Sequence, residues 1–277
     1  MRINVIGSGH MGKQICSLFD VLGYDVLIWQ NTKENLEKPL NDQIKRIEKN
    51  LNIKSTGSFK VENNLTKFEN HFTIETVKEN INIKKKILSL LNFNENLFSN
   101  TSSIKLSELG NNINGFHFMN PITVKIIELC KKSNFSNDLL NIVTNSLSKV
   151  FYKIINVKDS PGYLMNKVIF RDLSYFFYLH EKENTPIEDL KKIYSDDIKK
   201  NDPLKIVNMI GVDTCLDILI NLNSFDKSFY VPNCLHVAVK NNILGYKNKK
   251  IFFLIFIFSL TVSIVNDLQI LLDYFQL

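Results

Sequence analysis

Cysteine is scarce in this chain, and no cysteine is placed to hold a metal. The sequence has 4 cysteines among 277 residues, and no C-x-x-C or Cys/His spacing connects them. Structural zinc sites need closely spaced thiol and imidazole ligands, so we expect no metal. Reduced, mostly buried thiols are typical of a cytoplasmic protein, which is the location we expect. The four residues are Cys16, Cys130, Cys215 and Cys234.

Basic runs that alternate with aromatic residues and internal repeats are also missing. The formal net charge is +6, and no run of Lys and Arg alternates with aromatic residues, so nucleic-acid binding is not indicated. An apolar strand begins at Arg2, and we therefore expect no signal or transit peptide. Hydrophobic residues make up 44% of the chain, which is enough for the cores of two ordinary domains.

One uncharged stretch near the C-terminus is too short to cross a membrane as a helix. Residues 251–265 carry no charge, and Asp267 and Asp273 follow them. A spanning helix needs ~17–20 apolar residues, which this stretch does not supply. We interpret it as a packed helix or a dimer contact. A membrane-associated tail and a sequence artefact such as a frameshifted end are the alternatives.

The N-terminus carries a glycine-rich motif between a predicted strand and a predicted helix. Residues 3–6 form a short apolar run, residues 7–12 read Gly-Ser-Gly-His-Met-Gly, and residues 14–19 are typical of a helix. Strand, G-x-G-x-x-G and helix in this order form the dinucleotide fingerprint, in which the backbone approaches a pyrophosphate at a helix N-terminus. The expected cofactor contacts are Gly7, Gly9, His10, Met11 and Gly12.

An amide follows the second predicted strand where the fingerprint expects an acid. Residues 25–29 form this strand, and Gln30 and Asn31 come next. Gln30 can bond a ribose 2′-hydroxyl, although without the charge-assisted bond of a carboxylate. We expect NAD as the cofactor because no arginine stands nearby for a 2′-phosphate, Lys33 being the nearest cation. The alternative is that Gln30 is a solvated residue at the strand end.

A histidine and a carboxylate lie on two neighbouring apolar segments. His117 is in Gly-Phe-His-Phe-Met-Asn-Pro (residues 115–121), and Glu128 lies in the apolar run 124–129. A neutral imidazole can accept the proton of an alcohol near pH 7, and a carboxylate behind it stabilises the resulting cation. With a dinucleotide motif, this pattern indicates an enzyme that oxidises a secondary alcohol. The alternative for His117 is a satisfied core histidine.

From Met1 to about Phe253 the chain resembles the L-3-hydroxyacyl-CoA dehydrogenases, including bacterial 3-hydroxybutyryl-CoA dehydrogenases. Seven segments carry the resemblance in the family's order. They are residues 7–12, residues 75–80 with Lys84, and residues 99–103, 115–121, 159–167, 211–213 and 244–247.

The resemblance implies roles for particular side chains. His117 would be the base that removes the 3-hydroxyl proton, and Glu128 would orient it. Ser102 and Asn166 would hold the hydroxyl and carbonyl oxygens of the substrate, with Ser102 also near the cofactor. The other cofactor contacts would be Asn100, Asn120, Glu79, Lys84 and Lys247. Ser102 as a mere helix cap, and Asn166 as a structural residue of a helix with Pro161 in its first turn, are the alternatives.

Departures from the family's pattern leave a second functional hypothesis. Gln30, Lys167 and Asp202 stand where relatives usually have other residues, and the C-terminal stretch is atypical. A non-catalytic, NAD-binding relative with a structural or interaction role would tolerate such changes. The presence of four residues together favours the NAD-dependent 3-hydroxyacyl-CoA dehydrogenase: His117, Glu128, Ser102 and Asn166. A different β-hydroxyacid dehydrogenase, with a catalytic lysine, is a weaker third hypothesis.

The substrate is expected to be a short-chain acyl-CoA. Lys45, Arg46 and Lys49 lie on the predicted helix 41–51 and could meet the phosphates of coenzyme A, unless they form only a solvated face. Bulky side chains near the expected site favour a filled pocket and hence 3-hydroxybutyryl-CoA or acetoacetyl-CoA. These side chains are Phe116, Phe118, Met119, Tyr163 and Met165.

The pattern predicts an α/β protein of two domains. Residues 1–157 alternate strands and helices, as in a doubly wound Rossmann-type NAD-binding domain. Residues 158–277 would form a smaller all-α domain for substrate and dimerisation. Its predicted helices cover residues 163–180, 187–194 and 206–222, the last interrupted by Gly211. The resemblance implies a homodimer formed through this second domain.

Overall fold

The structure, a computed structural model, describes residues 1–91, 96–110, 112–131, 138–195 and 202–252. The chain divides into two units, Met1–Leu164 and Met165–Leu277. The sequence placed this boundary after Val157. The intervening segment belongs to the first unit because the Asp159 carboxylate accepts hydrogen bonds from the Leu106 and Ser107 amides, and the Leu164 amide donates to Glu128.

One sheet organises the first unit. Its described strands are β1 (Arg2–Ile6), β2 (Asp25–Trp29), β3 (Ser58–Glu62), β4 (Phe72–Glu75), β5 (Leu97–Ser99), β6 (Asn114–Phe118), β7 (Ile126–Cys130) and β8 (Lys153–Asn156). Their order in space is β3-β2-β1-β4-β5-β6-β7-β8. The first six strands run parallel in the order of a doubly wound dinucleotide-binding fold, which confirms the predicted fold class.

Helices cover both faces of this sheet. They are α1 (His10–Val21), α2 (Glu37–Leu51), α3 (Ile81–Ser89), α4 (Leu106–Leu109) and α5 (Asp138–Lys149). Side chains from α1, α2 and α5 share one apolar core with the sheet, and side chains from α3 and α4 share a second. Because both faces are covered, the central strands are buried along almost their whole length, as parallel strands usually are.

Strand β7 reverses direction and sets the geometry of the site. It pairs antiparallel with β6, and His117 lies directly opposite Glu128 in the register. Side chains alternate along β6, so Phe116 and Phe118 face the opposite side of the sheet from His117. Phe116 packs edge-to-face on Phe72, with 5.5 Å between ring centroids. Both phenylalanines are therefore core residues, and the expectation that they fill a substrate pocket is wrong.

The second unit is helical throughout its described part. Its helices are α6 (Met165–Glu183), α7 (Ile187–Ser195), α8 (Pro203–Ile210), α9 (Val212–Phe225) and α10 (Asn233–Lys240). Gly211, at φ 104°, separates α8 from α9, so the predicted helix 206–222 is two helices. Asp202 accepts a hydrogen bond from the Leu204 amide at 2.9 Å and caps α8, which gives this departure from the family's pattern a structural role.

The start of α6 differs from the sequence expectation, and the described part of the chain ends at a buried phenylalanine. Helix α6 begins at Met165, and Pro161 lies in the preceding turn rather than in the first turn of the helix. Phe252 is buried in the helical core, and its amide donates to Asn208 Oδ1 at 2.7 Å. The rest of the uncharged stretch, residues 253–265, lies outside the described residues. None of the described helices is both long and apolar enough to cross a membrane.

Candidate active site

The glycine-rich loop leaves an open cradle at the point where the strand order reverses. Gly7 has φ 123°, and a Cβ there would lie 2.9 Å from Thr76 after β4. A Cβ on Gly12 would collide with the Gly7 carbonyl oxygen, so α1 can pack this closely only with glycine. Gly9 faces open space, and no side chain caps α1, which starts at His10. Its first amides therefore suit a dinucleotide pyrophosphate.

Gln30 presents an unsatisfied acceptor at the end of β2. Its side chain is 4% exposed, and Nε2 donates to the Glu34 carbonyl oxygen at 3.1 Å. Oε1 is buried without a hydrogen-bond partner among the described residues. The alternative of a solvated strand-end residue is wrong because the side chain is buried. A buried acceptor of this kind suits a donor such as a ribose hydroxyl.

The His117 and Glu128 side chains form a buried pair. His117 Nδ1 lies 2.9 Å from Glu128 Oε2, and the two residues are 6% and 0% exposed. Glu128 Oε1 accepts a hydrogen bond from the Leu164 amide at 2.8 Å, so both carboxylate oxygens are held. His117 Nε2 has no partner among the described residues, which leaves it available to a ligand. This arrangement can carry a proton at Nε2 while Glu128 stabilises the charge.

A carboxylate organises the turn that contains Ser102. Glu79 Oε1 accepts hydrogen bonds from the Ser102 amide at 2.9 Å, the Ser103 amide at 2.8 Å and the Thr101 hydroxyl at 2.6 Å. Burial favours a raised pKa for Glu79, but Lys84 and these hydrogen bonds outweigh burial and hold the pKa below its usual value. Lys105 is the N-cap of the next helix, α4, so the interpretation of Ser102 as a helix cap is wrong.

Lys84 lies behind this turn rather than at a surface. Its side chain is 1% exposed, and Nζ lies 2.8 Å from Glu75 Oε1, 3.3 Å from Glu79 Oε2 and 3.2 Å from the Val77 carbonyl oxygen. Burial would lower the pKa of Lys84, but the two carboxylates raise it above its usual value. All three ammonium hydrogens thus have protein acceptors, and the structure shows Lys84 facing Glu79 instead of the direct cofactor contact that the resemblance implied.

Gln14 connects the glycine-rich loop to the loop after His117, and sequence reasoning missed it. Its Oε1 accepts a hydrogen bond from the Ile122 amide at 2.9 Å. Its Nε2 lies 2.7 Å from His10 Nε2 and 3.5 Å from Asn120 Oδ1. The side chain is 4% exposed. Nothing in the sequence distinguishes this glutamine as a functional residue, so its contact with the loop after His117 is seen only in the folded structure.

The remaining predicted residues lie in three places. Asn100 Oδ1 accepts a hydrogen bond from the Phe118 amide at 2.8 Å, directly beside His117. Arg46 lines a cavity of about 370 Å³ between α1 and α2, together with Lys13 and Lys38. Lys45 and Lys49 are exposed on α2 but do not line that cavity, and Met11 is half-buried on α1. In the second unit, Asn166 is buried in the first turn of α6, and Lys247 bonds to Asp213 at 2.7 Å.

The fold, the glycine cradle and the unsatisfied acceptor of Gln30 define a dinucleotide-binding protein of the Rossmann type. The sequence profile described as "3-hydroxyacyl-CoA dehydrogenase, NAD binding domain" matches residues 2–160, more than half of the chain. The chain therefore belongs to the 3-hydroxyacyl-CoA dehydrogenase family, as the resemblance predicted, and its cofactor is NAD.

Individual relatives agree over nearly the whole length. The chain is 27% identical to the 3-hydroxybutyryl-CoA dehydrogenase of Clostridioides difficile, over 90% of this chain and 97% of that protein. It is 24% identical to the mitochondrial hydroxyacyl-coenzyme A dehydrogenase of Homo sapiens, over 91% of this chain and 90% of that protein. The solved (S)-3-hydroxybutyryl-CoA dehydrogenase of Ralstonia eutropha superposes with a TM-score of 0.73 at 22% identity, over 91% and 97% of the two chains. This last likeness supports the fold.

Proposed function

We propose that this enzyme oxidises the 3-hydroxyl group of a short-chain 3-hydroxyacyl-CoA, with His117 as the general base and Glu128 as its partner. The observation that carries the proposal is the 2.9 Å contact between His117 Nδ1 and Glu128 Oε2 across the β6–β7 ladder. NAD, when bound, supplies the acceptor for the hydride that leaves carbon 3 of the substrate.

The protein's part in the reaction is to hold and move one proton. With Nδ1–H donating to Glu128, the lone pair of the neutral imidazole is on Nε2. His117 Nε2 takes the 3-hydroxyl proton as the carbonyl forms, and the buried Glu128 carboxylate stabilises the imidazolium. The Leu164 amide holds the second oxygen of Glu128, so the carboxylate keeps its orientation while the charge develops. In the reverse direction, Nε2 returns the proton to the new alcohol.

Four polar side chains are proposed to hold the reactants. Ser102 and Asn166 would bond the oxygens of the substrate, and Asn100 and Asn120 would border the nicotinamide ribose. For Ser102 the support is the turn that Glu79 fixes, and for Asn100 it is the bond to the Phe118 amide beside His117. For Asn120 it is the proximity of Gln14, which also contacts the glycine-rich loop.

The acidic part of coenzyme A is proposed to lie against α2. Arg46, Lys13 and Lys38 line one cavity together with Asp42, so three cations outnumber one carboxylate there. Phosphates are attracted to such a cluster over distances comparable to the Debye length, about 10 Å at 0.1 M salt. Lys45 and Lys49 on the same helix would add to the field without lining the cavity.

A short acyl chain and a homodimer complete the proposal. Named relatives act on 3-hydroxybutyryl-CoA, and the Tyr163 ring lies 5.6 Å from the His117 ring, where it limits space. In the second unit, Val168 and Tyr175 are 61% and 57% exposed and seven positions apart on α6, so they lie on one exposed face of the helix, which also carries Arg171 and Asp172. That face is the proposed contact between two copies, and sedimentation of the protein with Val168→Asp would test it.

The direct test is to mix the purified protein with acetoacetyl-CoA and NADH and to follow the absorbance of NADH. The proposed activity predicts a loss of absorbance in proportion to the amount of enzyme. The reaction should be slower with longer 3-ketoacyl-CoA substrates, although in a graded way, because one methylene changes binding by only about 0.8 kcal/mol. Tight NADH binding without oxidation would instead identify a non-catalytic relative.

A further inference from the structure

Lys84, Glu75 and Glu79 form a buried ion cluster, and two sets of hydrogen bonds, called its two arms, connect the cluster to the Ser102 turn. In the first arm, Lys84 pairs with Glu79, whose Oε1 accepts the Ser102 and Ser103 amides. In the second arm, Lys84 pairs with Glu75, whose Oε2 accepts the Ser99 hydroxyl at 2.6 Å. The Ser99 oxygen in turn accepts the Thr101 amide at 3.2 Å. Both ends of the turn are thus tied to one ammonium group.

The same cluster also reaches the strand that carries His117. The Asn100 amide donates to the Glu75 carbonyl oxygen at 2.8 Å, and Asn100 Oδ1 accepts the Phe118 amide at 2.8 Å. Asn100 therefore sits between the end of β4 and the end of β6. A shift of the Glu75 backbone would move Asn100 and, through it, the residue next to His117.

The positive charge of Lys84 is needed to hold the two carboxylates of the cluster close together. Glu75 is 0% exposed, and the Glu79 side chain is 28% exposed. Without the ammonium group, two carboxylates would face each other with little water to screen them. Removing one partner of a buried pair costs more than the pair contributes, because the remaining charge is left uncompensated. One carboxylate can take up a proton, or Glu79 can move outward into water, and the outward movement would release the Ser102 and Ser103 amides.

We propose that Lys84 and Glu75 are positioning residues that act through Glu79 to hold Ser102 in place for the substrate. This inference rests on the proposed function, since Ser102 is there a substrate ligand. Lys84 touches neither substrate nor cofactor in this role. Its ammonium group fixes the carboxylate that fixes the turn.

The first experiment measures the turn itself, in the cofactor-free protein, by amide hydrogen exchange. Lys84→Met keeps the length of the side chain and removes its charge. Exchange of the amides of residues 101–104 should become about tenfold faster, which corresponds to a local loss of about 1.4 kcal/mol. Glu79→Ala should act in the same way, whereas Glu79→Gln, which keeps an oxygen for the turn, should restore most of the protection.

The second experiment separates positioning from general stability. ADP-ribose lacks nicotinamide and tests the glycine-rich loop and Gln30 alone, so Lys84→Met should leave its affinity unchanged. With acetoacetyl-CoA, the same variant should lower kcat by about tenfold or more and raise KM, because the turn holds the substrate oxygens less well. Lys84→Met with Glu79→Gln should lose less than the sum of the two single losses, since one unpaired charge is removed.

Glu181→Gln is the matched control in the second unit. Its carboxylate also organises backbone amides, those of Asn233 and Cys234, each at 2.9 Å, and it lies on α6. This variant should lose overall stability without faster exchange at residues 101–104 and without a fall in kcat.

Three results would overturn the proposal. One is wild-type exchange at residues 101–104 in folded Lys84→Met and Glu79→Ala. Another is exchange that rises equally across the first unit, which would show that Lys84 stabilises the whole unit and does not act specifically on the Ser102 turn. If Lys84→Met does not fold, the comparison of Glu79→Ala with Glu79→Gln decides, and equal exchange in the two would refute the role of the acceptor. A wild-type protein without dehydrogenase activity would refute the proposed function, while the exchange data would still decide whether Lys84 positions the turn.

Discussion

At the scale of single residues, the site depends on which polar atoms are satisfied by the protein and which are not. His117 Nδ1 is paired with Glu128, while Nε2 has no partner among the described residues. Gln30 Oε1, the Tyr163 hydroxyl and Asn4 Oδ1 are buried without hydrogen-bond partners among the described residues. The sequence predicted His117, Glu128 and Gln30 as functional because their residue types and spacing fit the chemistry. It could not predict that Lys84 is buried, because a lysine on a helix gives no sign of the carboxylates that it will meet.

His117→Gln should lower turnover by a factor of ~10²–10⁴, the usual contribution of a general base. Binding of NADH should change little because the imidazole acts mainly in the transition state. Steady-state kinetics with acetoacetyl-CoA and a separate NADH titration would measure both effects. Turnover close to that of the wild type would refute the assignment of the base.

Gln30→Asp should increase the preference for NAD over NADP. A carboxylate makes a charge-assisted bond to the ribose hydroxyl and repels a 2′-phosphate. Rates with the two reduced cofactors would be compared in the wild type, in Gln30→Asp and in Gln30→Asn, which changes the side-chain length without adding charge. A preference of the wild type for NADP would contradict the role given to Gln30.

Tyr163→Phe should leave the protein as stable or make it more stable by about 1 kcal/mol. The Tyr163 hydroxyl is buried without a partner among the described residues, and its removal relieves the cost of an unsatisfied group. Tyr152→Phe is the control, because the Tyr152 hydroxyl donates to the Ile122 carbonyl oxygen at 2.7 Å and its loss should destabilise. Urea unfolding of both variants would measure the difference. A larger loss for Tyr163→Phe than for Tyr152→Phe would show that the Tyr163 hydroxyl is paired.

At the scale of elements, the sequence was most informative where a strand or helix is long and regular. The predicted strand 25–29 has the observed bounds of β2, and the predicted helices 14–19 and 41–51 lie within α1 and α2. Features that are set by tertiary contacts were harder to predict from the sequence. The interruption of the helix 206–222 at Gly211 was predicted, but the direction of β7, which places Glu128 opposite His117, is not a property of its own residues.

Gln14→Leu should loosen the loop that follows β6. The variant keeps the size of the side chain but leaves the buried Ile122 amide without its acceptor, at a cost of about 1–3 kcal/mol. Urea unfolding would give the loss of stability, and amide exchange at residues 120–124 would locate it. Gln43→Leu, on α2, is the control and should change neither. Equal protection of residues 120–124 in Gln14→Leu and the wild type would show that Gln14 does not hold this loop.

At the scale of the whole molecule, stability in acid is set by carboxylates whose pKa differs between the folded and unfolded states. Glu79 in the first unit and Glu181 in the second both have a lowered pKa. For Glu181, burial opposes the shift, and the hydrogen bonds from Tyr230, Cys234 and Asn233 outweigh it. Asp20 has a raised pKa, because burial and the nearby Glu48 outweigh its hydrogen bond from Ser55.

The two kinds of carboxylate should respond to pH with opposite signs. A lowered pKa stabilises the fold above the unfolded value of about 4.3, and this stability is lost as the pH falls through the folded pKa. Glu181→Gln should therefore destabilise at pH 7 and matter less near pH 3. Asp20→Asn keeps an oxygen for Ser55 and should stabilise at pH 7, with the gain shrinking in acid. Thermal melts at several pH values would measure both, and a gain for Asp20→Asn that grows in acid would contradict this account.

The alternation of side chains along β6 also protects the site against mispairing of the sheet. A slip of one position would turn His117 away from Glu128 and into the apolar core, and would carry Phe116 and Phe118 out of the ring contacts that they make with Phe72 and Phe19. The loss of packing at two buried phenylalanines costs about 3 kcal/mol or more, a large part of the stability of an ordinary domain. A chain with the wrong register would therefore be too unstable to accumulate as a folded but inactive protein. The packing of the two phenylalanines thus favours the one register of β6 in which His117 lies opposite Glu128.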